Sequence, residues 1–160
     1  MKLSSPEEYG LRCLLRMARA GASVTIPELS EAEGLSAANV AKVMRLLRLA
    51  GIVESVRGPA GGYRLARPPE QITAAEALEA LGERLLTEDF CRKHAGLPEI
   101  CVHAEDCSLR ALLSAMQNAL DSLLGATTLR DLLADERRVA VQLAARFPGA
   151  GAAPRAFLPG

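Results

Sequence analysis

Between Ser36 and Leu49 the chain presents two contrasting faces. Val40, Val43, Met44 and Leu47 recur at i, i+3, i+4 and i+7, the apolar stripe of an amphipathic helix. Ser36, Asn39, Lys42, Arg45 and Arg48 place a polar or cationic residue at every third position on another face. The Ser36 hydroxyl suits an N-cap, and Gly51 suits the left-handed position that ends many helices. The period then shortens. Val53–Val56 and Tyr63–Ala66 are strand-length runs joined by Arg57-Gly58-Pro59-Ala60-Gly61-Gly62, a loop too rich in glycine for a helix. A helix followed by a basic hairpin predicts a winged helix-turn-helix, with a rod for the major groove and a wing for the adjacent backbone.

Other elements extend this frame. Pro6 to about Ala20 reads as a first helix, with Leu11, Leu14, Leu15 and Ala18 on one stripe. Thr25 and Glu28 form a capping box that opens a short second helix ending at Gly34, and only Leu35 separates that glycine from Ser36. Pro68-Pro69 closes the first unit. Thr73 and Glu76 form a second box, opening a helix through about Leu81. Residues 90–107 break the periodicity with three cysteines, Gly96 and Pro98. From Ser108 the pattern returns, with Leu109, Leu112, Leu113, Met116, Leu120, Leu123 and Leu124 on one face, a candidate for dimerisation or for packing on its own domain. Thr128 opens a further helix expected to reach Arg146, with a break near Asp135. The expected organisation is a DNA-binding unit at 1–72, a cysteine loop and dimerisation helices at 73–147, and a disordered Gly/Ala/Pro tail at 148–160.

Composition narrows the class. Apolar residues make up 49% and aromatics only 3%, so the core is aliphatic, which favours a mainly α fold with one small β-hairpin. Net charge is zero, but residues 1–72 hold ten Lys/Arg against seven Asp/Glu, and residues 73–160 hold nine against twelve. A basic front and an acidic back suit one DNA-facing unit and one that is not. Glu7 and Glu8 precede any apolar run and no run reaches transmembrane length, so the expectation is a cytoplasmic protein away from membranes. Structural disulfides are rare there, leaving metal or redox chemistry as the usual uses of four cysteines. Cys13 lies beside the apolar stripe of the first helix and reads as a small core residue.

The start MKLSSPEEYGLRCLL, the helix-turn-helix and above all SVRGPAGGYRLARPPEQIT resemble the IscR/NsrR/RirA-type family of iron–sulfur winged-helix transcriptional regulators, over roughly residues 1–134. The most specific element is Arg57-Gly58-Pro59 followed by Gly61-Gly62-Tyr63. The resemblance implies a homodimer bound to a double-stranded operator, regulated by a two-iron or four-iron cluster on three cysteines. Cys91, Cys101 and Cys107 fall where those ligands stand. Nine residues separate the first pair, more than is common in the family, and the usual five separate the second. In some members an acidic residue near the partner's N-terminus completes the coordination, a position held here by Glu8. His94, His103, Glu105 and Asp106 are local alternatives. Ala38 and Ala41 replace larger polar residues, so no operator sequence carries over.

On this reading Ser36, Asn39, Lys42 and Arg45 face base edges or phosphate, Arg57 and Arg64 contact phosphate, and Gly61 and Gly62 let the hairpin backbone approach the duplex. Tyr63 reads as packing within the wing. The signal would be redox state, nitric oxide or iron. A cluster-free regulator using the cysteines as a thiol or zinc switch is the alternative. An enzyme is disfavoured, because the glycine-rich loop joins two strands and not a strand to a helix.

Overall fold

The computed structural model describes residues 3–58, 61–82, 90–93, 101–103 and 105–148. Within them the chain runs α1 (Ser5–Ala20), α2 (Ile26–Glu33), α3 (Ala37–Leu49), β1 (Val53–Val56), β2 (Gly62–Leu65), α4 (Ala74–Leu81), α5 (Phe90–Lys93), α6 (Ser108–Gly125) and α7 (Glu136–Arg146), with short 3-10 turns at Pro69–Gln71 and Asp131–Leu133. Of the expected disordered tail at 148–160, all but Pro148 lies outside the described residues, as do His94, Gly96 and Pro98 of the cysteine loop.

Reciprocal capping starts three helices. Backbone N–H groups of Ser4, Thr25 and Thr73 donate to Glu7, Glu28 and Glu76 at 2.7, 2.7 and 2.8 Å, while their hydroxyls accept from the same glutamates' backbone N–H. Each box satisfies two otherwise unpaired backbone donors. Gly34, at φ 63°, turns α2 into α3 with Leu35 and Ser36 as the remaining link. Ser30 fastens that turn, its hydroxyl donating to the Leu35 carbonyl at 2.5 Å while Leu35 N–H donates to the Ser30 carbonyl at 3.1 Å.

α1, α3 and α4 pack together, and α2 lies against α1 and α3. Leu14, Met17, Leu29, Val40, Val43, Met44, Leu47, Ile52 and Val53 are buried in one cluster with Ile72, Ala77, Leu81 and Leu129. The core is therefore continuous across residue 72. Gly10 permits the close crossing of α1 and α4, since a Cβ there would run into the Leu81 side chain.

Two sequence expectations shift. The second strand covers Gly62–Leu65, not Tyr63–Ala66, because Gly62 stands opposite Val56, while at the other end Ala66 N–H still donates in register to the Ile52 carbonyl but Ile52 N–H turns away to the Leu47 carbonyl. The helix expected from Thr128 gives way, up to the break near Asp135, to a bridge and a single 3-10 turn. Thr128 pairs with Thr73, Leu129 N–H donates to the Ile72 carbonyl, and a Thr128–Asp131 box closes the turn. Asp135 then caps α7, at the expected break.

α6 packs on α4 and has no buried residue among those described. Leu109, Leu112 and Met116 are exposed, while Leu113, Leu120, Leu123 and Leu124 are half-buried. Among the described residues no helix is long and apolar enough to cross a membrane.

Candidate nucleic-acid interface and thiol segment

α3 keeps its apolar stripe in the core and its polar face in solvent. Val40, Val43, Met44 and Leu47 are buried, whereas Ser36, Ala38, Asn39, Lys42, Arg45 and Arg48 are exposed. The Ser36 hydroxyl accepts from Asn39 N–H at 3.3 Å, fixing the helix start that would enter a groove. Lys42, Arg45 and Arg48 have no acidic partner among the described residues, so this face presents uncompensated positive charge. That is the electrostatic footprint a phosphate backbone attracts.

The hairpin stands beside this helix. Val53 and Tyr63 turn inward, Val53 buried in the core and Tyr63 packed against it, so the wing is anchored from beneath. Tyr63 also exchanges backbone hydrogen bonds with Val24 at 2.8 Å, extending the two-stranded sheet by one bridge. This contact explains Gly62 from within the chain. Its φ is 147°, and a Cβ there would sit 2.6 Å from the Val24 carbonyl oxygen. Gly61 is likewise crowded by the Gly58 carbonyl oxygen, at 2.7 Å from where a Cβ would stand. Arg57 and Arg64 are both exposed, but Arg64 Nε donates to Glu54 Oε1 at 2.5 Å. The sequence reading missed this partner. Its only signal is the ladder register, which sets Glu54 opposite Arg64.

The cysteines divide into two kinds. Cys13 is fully buried, and burial together with nearby Glu33 pushes its thiol up to about 11 against the opposing pull of Arg12. A thiol so protonated is a poor ligand and nucleophile at neutral pH. Cys91 on α5, Cys101 and Cys107 are partly exposed and unbridged. Cys107 is the N-cap of α6, its sulfur accepting from Arg110 N–H at 3.3 Å. Such hydrogen bonds are among the features that tune thiolate-ligated iron. Among the described residues no three His, Cys, Asp or Glu side chains stand as a group able to hold a metal ion. The donor chemistry of the three surface thiols nevertheless suits an iron–sulfur cluster, since thiolates are its ordinary ligands.

Glu8 is exposed on the first turns of α1, 3.7 Å from Arg12 Nη1. Arg12 turns chiefly the other way, with Nε donating to Glu33 Oε2 at 3.2 Å and Nη2 to the Glu33 carbonyl. It thereby ties α1 to the end of α2. His103, Glu105 and Asp106 are exposed.

A family model, Rrf2, described as an iron-dependent transcriptional regulator, matches residues 3–135. The chain belongs to the Rrf2 family of transcriptional regulators. Protein rrf2 of Nitratidesulfovibrio vulgaris is 31% identical over 137 residues, covering 84% of this chain and 89% of its own length. Among solved structures, the CymR global cysteine regulator of B. subtilis superposes with a TM-score of 0.67 at 27% identity, over 83% of this chain and 96% of that one. IscR of T. potens gives a TM-score of 0.65 at 27% identity, over 83% and 86%. Rrf2-family membership makes the chain a DNA-binding regulator and not an enzyme, and its winged-helix architecture is that of its structural neighbours. The resemblance read from the wing motif is the same one.

Proposed function

We propose that this Rrf2-family regulator binds its operator as a cytoplasmic homodimer and that an iron–sulfur cluster, two-iron or four-iron, sets its affinity. The observation that carries the reading is the separation of the thiols. Cys13 is sealed in the core, while Cys91, Cys101 and Cys107 reach the surface within one segment, unbridged. Those three would hold the cluster, with Glu8 of the partner subunit as the proposed fourth ligand. When bound, such a cluster supplies thiolate-ligated iron that responds to redox state, nitric oxide or iron supply.

The chain's own residues then do two things. Ser36, Asn39, Lys42 and Arg45 meet the major groove, and Arg57 and Gly61 meet the neighbouring backbone, with Arg64 on the same wing but held by Glu54. Leu109, Leu112 and Met116 form the contact with a second copy, which sets the distance between the two recognition helices. Half-sites one turn apart require about 34 Å between them. Because Cys107 caps α6, a change at its sulfur acts directly on the helix that makes the dimer contact, and two arrangements of that helix give two operator affinities. The functional division is thus 1–72 for DNA and 73–147 for sensing and dimerisation, built on one continuous core.

Cys101→Ala tests the reading. Anaerobically purified wild-type protein should absorb in the visible and contain iron and sulfide. The variant should lose both and bind operator with altered affinity, while its far-ultraviolet dichroism stays unchanged. Retained absorbance in the variant would count against Cys101 as a ligand, and unchanged operator affinity against the switch.

The likeness to CymR, described as a cysteine regulator, favours a second reading in which the same thiols serve a cluster-free thiol or zinc switch. Iron with stoichiometric sulfide supports the first reading. Zinc, or neither element, supports the second.

A further inference from the structure

The two outward arginines of the wing stand in unlike electrostatic states. Arg57, just after β1, is exposed with no acidic partner among the described residues. Arg64, in the middle of β2, is also exposed but is held by Glu54, Nε to Oε1 at 2.5 Å. The register imposes this pairing. Glu54 and Arg64 are directly opposed, and both lie on the solvent side of the hairpin, because Val53 and Tyr63 occupy the side that packs on the core. Directly opposed side chains have Cβ atoms within about 5.5 Å, so each lies in the other's field whatever rotamers they adopt. Lys42, Arg45 and Arg48 on α3 have no such counter-charge among the described residues.

We propose that Glu54 is an affinity-limiting residue of the DNA interface. Its carboxylate neutralises the Arg64 charge through Nε and stands on the same wing face, withholding one phosphate contact per wing. The proposal rests on the reading that the wing meets the duplex backbone. A cation that neutralises a phosphate releases condensed counterions, whereas one already neutralised by a carboxylate releases fewer. Freeing Arg64 means taking it from Glu54, and the carboxylate left behind repels the phosphates. Since phosphate contacts carry no sequence information, the penalty falls on every DNA sequence alike and holds down nonspecific binding. Both side chains are about half exposed, at 62% for Arg64 and 48% for Glu54, so either can be changed without opening the core.

The test is the salt dependence of binding by full-length protein, one anaerobic preparation of each variant, to a random-sequence 30-base-pair duplex followed by fluorescence anisotropy. Glu54→Gln should raise affinity about two- to fivefold at 0.1 M salt and steepen the log K against log salt slope by about 0.9 for each seated wing. Arg64→Ala should leave the wild-type slope unchanged, and in the Glu54→Gln background it should abolish the gain. Unchanged or weakened binding by Glu54→Gln overturns the proposal. So does an Arg64→Ala loss of slope in wild type equal to that in Glu54→Gln, because Arg64 would then already reach phosphate. Arg57→Ala separates the two levels. A flattened slope upholds the wing reading even if Glu54→Gln fails, whereas an unchanged slope overturns the wing reading and this proposal with it.

Discussion

Gly62 combines a backbone angle and a steric limit that only glycine meets. Its φ of 147° lies where L side chains are strained, and its Cα faces the Val24 carbonyl at the entry to α2. Gly62→Ala should therefore lower stability by about 1–3 kcal/mol in urea unfolding and displace the wing. Gly21→Ala gives a contrast, since φ is 63° but nothing lies within 4 Å of the added Cβ, so only the backbone cost of about 1 kcal/mol is expected. Asp131 supplies a pH dependence. Its carboxylate is held below its ordinary value of 3.8, first by hydrogen bonds from Arg146 and then by the Thr128 backbone. Because the folded value is the lower one, the stabilisation is fully present above that ordinary value and fades as pH falls through the folded one. Asp131→Asn should cost about 1 kcal/mol at pH 7 and remove part of the acid-induced loss of stability that wild type shows below about pH 4.

At the scale of elements, α6 carries the sharpest expectation. Leu112 is 57% exposed between Leu109 and Met116, one apolar stripe turned from the protein's own core. Leu112→Glu should leave the fold intact and convert the proposed dimer to a monomer in sedimentation velocity, weakening operator binding with it. A dimer that persists would place the contact elsewhere. Leu47→Ala should instead act on the fold, by about 2–5 kcal/mol, since Leu47 is fully buried. Elements of this kind were legible in the sequence because their causes are local. The Thr25 and Thr73 boxes, the stripe from Val40 to Leu47 and the glycine at 34 lie within a few residues of what they control. Ser4 and Glu7 carry the same local signal and start α1 at Ser5, one residue before Pro6. What the sequence hid is non-local. Nothing near Thr128 announces that its strand-like backbone will pair with Thr73, or that Leu129 will reach a core built mostly 50 or more residues earlier. That tertiary pairing overrode a helical pattern. The Glu54–Arg64 pair was hidden too, because a one-residue change in hairpin register would have separated the two.

Over the whole molecule, the front and back of the chain share one core, so they cannot respond independently. Ile72, Leu81 and Leu129 pack with Leu14, Met44 and Leu47 beneath the proposed recognition helix, and the chain leaving α6, the helix that Cys107 caps, joins that core at Leu129. Arg12 adds a tie between Glu8, the proposed ligand in trans, and the carbonyl end of α2 that leads into the helix-turn-helix. Arg12→Ala should weaken DNA binding more than it lowers stability, a difference visible when anisotropy and urea unfolding are compared on one sample. A linkage between thiol segment and DNA face of the size common for coupled sites corresponds to about a 5- to 150-fold change in affinity. The direct measurement uses full-length protein isolated without oxygen and a duplex that the protein itself selects from a random library. Iron and acid-labile sulfide are assayed, and affinity is titrated before and after iron is removed. Stoichiometric iron and sulfide, with an affinity change of at least about fivefold on removal, is the predicted result. Protein with neither element, or with both but the same affinity in the two states, would contradict it.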